Sequence, residues 1–268
     1  MDALRQVEAW PAPHAAVAVL GPSGEIDSIG PRDRVFRWAS VTKPVTAYAC
    51  LVAAEEGTLD LDEPAGPPGS TVRHLLAHAS GLPFQGRVPL SSPGRRRIYS
   101  NAGFEVLAET LAARAAMPFV DYLRGAVLEP LGMQAELRGS PAAGLHGSLD
   151  DLARFADELL APRLIAPETL AEATAVAFPG LVGVLPDFGR REPNDWGLGF
   201  ELRNGKEPHW TGTRNSPATF GHFGGSGTFL WVDPHARLAC ACLTDLDFGP
   251  WAKEAWPRLS DAVLGDAR

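Results

Sequence analysis

The 268-residue chain has almost no lysine. Of its 24 basic residues only Lys43, Lys206 and Lys253 are lysine, and the rest are arginine. Arginine serves wherever a fixed positive charge suffices, whereas lysine can give up its proton when desolvated. Positive charge as a whole is also scarce: 32 acidic residues outnumber the basic ones, for a net charge of −8 and a pI near 5.4. That balance provides no basic face, so neither a nucleic-acid nor an anionic-membrane partner is expected. Long apolar runs are missing too; AAVAVL at 15–20 is far too short to span a bilayer. The three cysteines (Cys50, Cys240, Cys242) are odd in number and lack framework spacing, which excludes a disulfide scaffold. Cys240 and Cys242 alternate along a strand and read as small buried side chains rather than metal ligands. The opening MDALRQVEAWPAPH has no basic segment followed by an apolar one, so the expected setting is cytoplasmic.

What is present is ordinary for a globular protein, with 45% hydrophobic and 21% charged residues. Residues 2–10 fit a short amphipathic helix, and AAVAVL, GPSG and EIDSIG fit a hairpin. A helix is predicted from Ser40 to about Glu56, stopped by Gly57. Further helices are predicted over 72–80, 101–117, 118–133 and 149–160. In 101–117, Phe104, Leu107, Ala108, Leu111 and Ala115 form a core-facing stripe. Proline and glycine thicken over 179–199, which reads as a long loop. GLGFEL, FGHFGGSGTFLWVDP and RLACACLTD then read as three antiparallel strands before a closing helix. Strands at both ends with helices between predict an α+β fold: an antiparallel sheet built from both chain ends with flanking helices, plus an inserted, mostly helical lobe. The expectation is a single domain over 1–268, with a sheet lobe at about 1–39 and 190–268 and a helical lobe at about 40–189.

Three clusters carry chemistry. In Ser40-Val41-Thr42-Lys43 the lysine sits one helical turn after the serine, where its charge opposes the helix dipole. Thirteen serines and three lysines produce about 0.15 such matches by chance, and a serine N-cap with a solvated lysine is the plain structural reading. The chemical reading is that a serine hydroxyl needs a base within reach, and a desolvated lysine amine supplies one. In Tyr99-Ser100-Asn101 the plain reading makes Asn101 an N-cap and Tyr99 a packing residue. His222-Phe223-Gly224-Gly225-Ser226-Gly227 puts glycines inside a predicted strand, a sign of a bulge or of close backbone approach by a ligand.

In this order the clusters resemble those of the serine β-lactamase and penicillin-binding protein superfamily. The second motif is closest to that of the class C β-lactamases and related carboxylesterases. HLLAHASGLP (74–83) and GHFGGSGTFLWVDP (221–234) extend the resemblance over nearly the whole chain. It implies a β-lactamase/transpeptidase-like fold and a serine hydrolase that cleaves ester or amide bonds, β-lactams among them, through an acyl-enzyme. Ser40 would be the nucleophile, Lys43 its base and Tyr99 the partner acid/base. The N–H groups of Ser40 and Gly225 would form the oxyanion hole. Asn101, His222, Phe223 and Gly224 would bind substrate, with Asn101 bonded to Lys43 or to the acyl side chain. The partner is a small ester or amide, with no cofactor and no metal. His222 and Phe223 depart from the family's lysine and hydroxyl residue, which shifts the expectation from β-lactams toward esters. An acyl-binding sensor without turnover, or an acyltransferase, would use the same nucleophile.

Outside these clusters, His74 and His78 have helical spacing but lack the glutamate of a zinc motif; helix packing and a C-terminal dipole partner are the expectation. Arg95-Arg96-Arg97 reads as a solvated loop. Trp196, Trp210 and Phe223 are candidates for an acyl pocket or for plain core.

Overall fold

Apolar strands from the two ends of the chain alternate their side chains between two hydrophobic layers, and this fixes the architecture. The computed structural model describes residues 1–267. A 3-10 helix (Asp2–Ala9) precedes the hairpin β1 (Ala15–Gly21) and β2 (Gly24–Ile29). The short strand β3 (Phe36–Arg37) and one 3-10 turn (Ala39–Val41) lead into α1 (Thr42–Glu55). Then come α2 (Val72–Leu76), α3 (Asn101–Ala115), α4 (Phe119–Leu123), β4 (Glu136–Leu137), β5 (Leu145–Gly147), α5 (Leu149–Leu160) and α6 (Pro167–Ala173). A small hairpin of β6 (Gly183–Leu185) and β7 (Gly189–Arg191) precedes β8 (Glu201–Leu202), β9 (Phe220–Gly224), β10 (Thr228–Asp233), β11 (Leu238–Thr244) and α7 (Pro250–Asp266).

The main sheet has six antiparallel strands in the order β2-β1-β11-β10-β9-β8, so its centre joins the first strand to the last. This is the α+β arrangement expected, with a sheet made from both termini. Val17 and Val19 of β1, Cys240 and Cys242 of β11, and Phe229 and Trp231 of β10 share one layer with α7 and the N-terminal helix. Ala16, Ala18, Ala239, Ala241 and Leu230 lie in the other layer, where α5 packs. The alanines there leave room for the helix to approach the sheet. The α5 segment thus belongs to the sheet's core, although it falls inside the stretch assigned from sequence to the helical lobe. Every residue of α1 from Thr42 to Ala53 is buried, as expected of an interior helix with no polar side.

Several local expectations are corrected. Helix α1 starts at Thr42 without a side-chain cap, so Ser40 is not an N-cap. Residues 220–234 form two strands around a turn at 225–227, not one strand. Gly227 makes the turn possible: its φ is +74°, and a Cβ there would lie 2.0 Å from the Leu246 carbonyl oxygen. The helix predicted over 72–80 is a single short one, with His78 beyond it at φ 54°. His74 forms a capping box with Thr71 at the start of α2 and, because the helix is only five residues long, also falls in its last turn, where a dipole partner is expected. Of the three consecutive arginines, Arg97 is 2% exposed, not solvated. Its guanidinium donates to the carbonyls of Ala77, Ala177, Phe178 and Asn194, fastening the 177–194 segment to the loop after α2.

Arg97→Met removes a donor set that serves four carbonyls, and the loss is expected to destabilise the protein by about 2–4 kcal/mol. Arg96→Met, on the exposed neighbour, should change stability by less than about 0.5 kcal/mol. Urea titration of both variants checks the contrast; equal effects would rule out Arg97 as the fastening.

Candidate active site

Ser40 stands at the end of a segment held from both sides. The Trp38 N–H donates to the Leu145 carbonyl (2.9 Å) and its indole N–H to the Gly147 carbonyl (3.1 Å). From the β9–β10 turn, the Thr228 hydroxyl donates to the Trp38 carbonyl (2.8 Å) and the Ser226 hydroxyl to the Arg37 carbonyl (2.7 Å). Between these anchors Ala39 is forced to φ 47°, the left-handed region that a residue with a Cβ rarely adopts. Gly224 permits the approach: a Cβ there would fall 2.5 Å from the Trp38 carbonyl oxygen and 2.4 Å from Thr228 Oγ1.

Lys43 follows in the first turn of α1 and is fully buried. Its Nζ lies 3.2 Å from Ser40 Oγ and donates to the Ala142 carbonyl at 2.9 Å. Two threonines of the same helix pin that carbonyl's loop: the Thr46 hydroxyl donates to the Pro141 carbonyl (2.7 Å), and Thr42 Oγ1 accepts from the Leu145 N–H (3.0 Å). Burial drives the Lys43 amine well below the ordinary lysine range, with Glu105 opposing the shift. A neutral amine keeps a lone pair for the Ser40 hydroxyl proton while still donating to Ala142.

Ser100, not Asn101, caps α3: its hydroxyl oxygen accepts from the Gly103 N–H (2.8 Å) and donates to the Pro83 carbonyl (2.6 Å). The Ser100 N–H donates to Nδ1 of buried His78 (3.2 Å), which fixes the turn that carries Tyr99. The Tyr99 ring lies 4.6 Å from Lys43 Nζ, and its hydroxyl is 3.4 Å from His222 Nε2. Burial raises the Tyr99 phenol above its ordinary range, partly offset by a hydrogen bond with Ser40, so it holds its proton at neutral pH. His222 Nδ1 lies 2.6 Å from the Phe223 carbonyl oxygen, to which it donates, leaving Nε2 to accept from Tyr99. Burial first, and Lys43 second, lower His222 to about 3, so its imidazole is neutral.

Ser40, Tyr99, His222, Phe223 and Gly225 open on one cleft of about 260 Å³. Phe84, Trp196 and Glu201 also line it, whereas no lysine or arginine does among the described residues. Phe223 closes one wall against Phe188 and Phe248, with ring centroids 5.9 and 5.0 Å away. Asn101 makes no side-chain hydrogen bond to Lys43 among the described residues: it opens on a neighbouring groove with Phe84, Glu105 and Ser140, and its Oδ1 is buried without a partner. Gly224 acts through the close approach to Trp38. Trp210 lies outside the cleft and donates its indole N–H to Glu201 (3.0 Å). A larger cavity of about 510 Å³, beside α5, α6 and the β1–β2 turn, contains none of the motif residues.

Motif reading missed His78 and Glu201. His78 lies in HLLAHASGLP, but its role depends on a contact 22 residues away. Glu201 accepts from Lys206, from His209 Nε2 (2.8 Å) and from Trp210. Burial would raise its carboxyl, but His209 and Lys206 outweigh that and hold it at about 2. The scarcity of lysine pointed to Lys206; nothing in the spacing pointed to its partner.

The sheet with its flanking helices, and the cleft-lining serine backed by a buried lysine, define a member of the serine β-lactamase and penicillin-binding protein superfamily. The sequence profile of the Beta-lactamase family matches residues 13–135 and 133–264, and the chain belongs to that family. It is similar to a β-lactamase from Mycobacterium bovis whose crystal structure shares 55% identity, covers 99% of each chain and superposes with a TM-score of 0.98. It is 26% identical to esterase EstB of Burkholderia gladioli, over 86% of this chain and 82% of that one. It is 27% identical to penicillin-binding protein 4* of Bacillus subtilis, where the match spans 37% of this chain and only 29% of that protein. The chain's family is thus one of β-lactamase-like hydrolases. No helix among the described residues is long and apolar enough to cross a membrane.

Gly224→Ala places a methyl group against the Trp38 carbonyl and should displace the Ser40 segment, lowering kcat/KM at least about tenfold with the fold retained. A Cβ at Gly225 meets nothing within 4 Å, so Gly225→Ala should stay within about threefold of the parent. Steady-state hydrolysis by the two variants, with circular dichroism as a fold control, reads the difference; equal losses would argue against the close-approach account.

Proposed function

We propose that this protein is a serine hydrolase that cleaves neutral esters through an acyl-Ser40 intermediate. The observation that carries the reading is the 3.2 Å separation of Lys43 Nζ from Ser40 Oγ, with the amine buried and tied to Ala142. Lys43 takes the Ser40 proton as Oγ attacks the ester carbonyl. The N–H groups of Ser40 and Gly225 receive the negative charge on the carbonyl oxygen. Tyr99, held protonated by burial, gives its proton to the departing alkoxide and is reprotonated from the Lys43 ammonium. Water then attacks the acyl-enzyme, losing a proton to the same pair, and Ser40 leaves with its own proton restored. His222 orients the Tyr99 hydroxyl through Nε2.

Neutral substrates are favoured by what the cleft lacks. His222 carries no charge and no arginine or lysine lines the walls, so a substrate carboxylate loses its solvation without gaining a cation. The Phe223 side chain adds apolar surface where a hydroxyl would bond that carboxylate.

Ser40→Ala should abolish both fluorophosphonate labelling and ester turnover, and Lys43→Arg should lower kcat by about 10²–10⁴, since arginine cannot accept the proton. Rate rises with pH as Lys43 loses its proton, so the acid limb should fall below the ordinary lysine value of 10.5. His222, at about 3, should add no inflection near 6.5. Chromogenic esters should be preferred over carboxylate-bearing β-lactams by about 10- to 100-fold in kcat/KM, the worth of one charge-assisted hydrogen bond. Turnover that survives in Ser40→Ala would sink the reading.

A further inference from the structure

Large exposed apolar side chains are few, and three of them, Phe84, Leu90 and Val184, line one groove beside the cleft. The groove has a volume of about 420 Å³ and includes Tyr99 and Pro186 in its walls. Phe84, Tyr99 and Pro186 also line the cleft that holds Ser40, so the two spaces meet along a shared wall. Phe84 stands at the junction, stacked on the Tyr99 ring with a centroid distance of 6.0 Å.

The walls are built before any ligand arrives. The Phe84 carbonyl accepts from the Asn101 and Ala102 N–H groups at the start of α3, the Leu90 N–H donates to the Gly81 carbonyl, and the Arg97 N–H donates to the Val182 carbonyl. Gly81, at φ +87°, lets the 81–91 segment fold back on itself, since a Cβ there would lie 2.0 Å from the Ser91 carbonyl oxygen. No acidic residue lines the groove, and Arg97 spends its guanidinium on backbone carbonyls, so Arg96 is the one exposed charge among the lining residues. Phe84 is 50%, Val184 55% and Leu90 69% exposed. A contiguous apolar surface of this kind, joined to a reaction centre, is kept from water when a ligand covers it.

We propose that this groove binds the hydrocarbon chain of the ester substrate, making the protein an esterase for extended-chain, neutral esters. The proposal rests on the hydrolase reading above and adds the substrate class. The chain runs from the reacting carbonyl at Ser40 past Phe84 and Tyr99, to lie against Pro186, Val184 and Leu90. Each methylene covered there strengthens transition-state binding by about two- to fourfold until the groove is filled.

The test measures kcat/KM for p-nitrophenyl esters from acetate to decanoate and for acetates of alcohols of increasing length, using the parent, Leu90→Asp and Val184→Asp. In at least one series the parent should gain at least about tenfold between the shortest and an eight-carbon chain. Both variants should lose most of that gain while hydrolysing p-nitrophenyl acetate like the parent. Rates that are flat or falling with length in both series would overturn the proposal, as would variants that slow acetate and octanoate equally. Calorimetric titration of Ser40→Ala with methyl butyrate and methyl octanoate separates the two readings, because binding there needs no turnover. Tighter octanoate binding, lost in the Leu90→Asp background, supports the groove even if the hydrolase reading fails; equal binding of the two esters overturns it.

Discussion

The burial of one amine organises this protein. An ammonium group fully enclosed by α1 and the 140–145 loop is costly, so Lys43 is displaced toward its neutral form, and neutrality fits it to take a proton from Ser40. The dry surroundings extend along the whole helix: α1 is buried from Thr42 to Ala53, which calls for layers of structure on every side. Thr42 and Thr46 reach the loop that supplies the Ala142 carbonyl, so the helix carrying the lysine also orders the lysine's acceptor. The core and the candidate site are therefore set by the same requirement.

A second constraint is close packing of backbone at the serine. Trp38 is bonded from β5 on one side and from the β9–β10 turn on the other, with Ala39 in a left-handed conformation between them and Ser40. Strain of that kind costs about 1–3 kcal/mol and persists only where the surroundings over-determine it. The surroundings here are two sheets: the small one in which β5 pairs with β3 and β4, and the main one, which supplies the β9–β10 turn. Long-range strand pairing thus holds a local distortion at the residue after Trp38, and Gly224 gives the turn room to reach it.

The sequence was most informative where periodicity or rare residue types carry the signal. Short apolar runs bounded by turn residues identified β1 and β11, and alternation along β11 placed Cys240 and Cys242 on one buried face. The scarcity of lysine singled out Lys43, and the motif order grouped it with Tyr99 and His222, which the structure brings together around Ser40. The same scarcity also singled out Lys206, whose amine is absorbed by Glu201 and the carbonyls of Asp195 and Leu202. Rarity alone therefore does not separate a base from a buried ion pair. What was hidden depended on contacts across the chain: the Ser100 cap reaches Pro83, His78 reaches Ser100, and Arg97 gathers four distant carbonyls. The turn at 225–227 was hidden for another reason. Its flanks are apolar enough to read as one strand, and only the approach of Leu246 to Gly227 shows why the chain must reverse there.

The charge state of the cleft follows from these packing decisions. Lys43, His78 and His222 are all pushed toward neutrality by burial, and each cation would disfavour the others, since Lys43 and His222 both lower His78. Tyr99 is held protonated by the same apolar surroundings. Two acidic residues line the wall: Glu201, which is saturated by Lys206, His209 and Trp210, and Asp187, at the turn between β6 and β7. In the proposed hydrolysis, Lys43, Tyr99 and Ser40 pass protons among neutral donors and acceptors, and charge builds on them only during reaction. In the proposed reaction, apolar contact with the walls accordingly does most to select the substrate, and their shape and reach decide which acyl group meets Ser40.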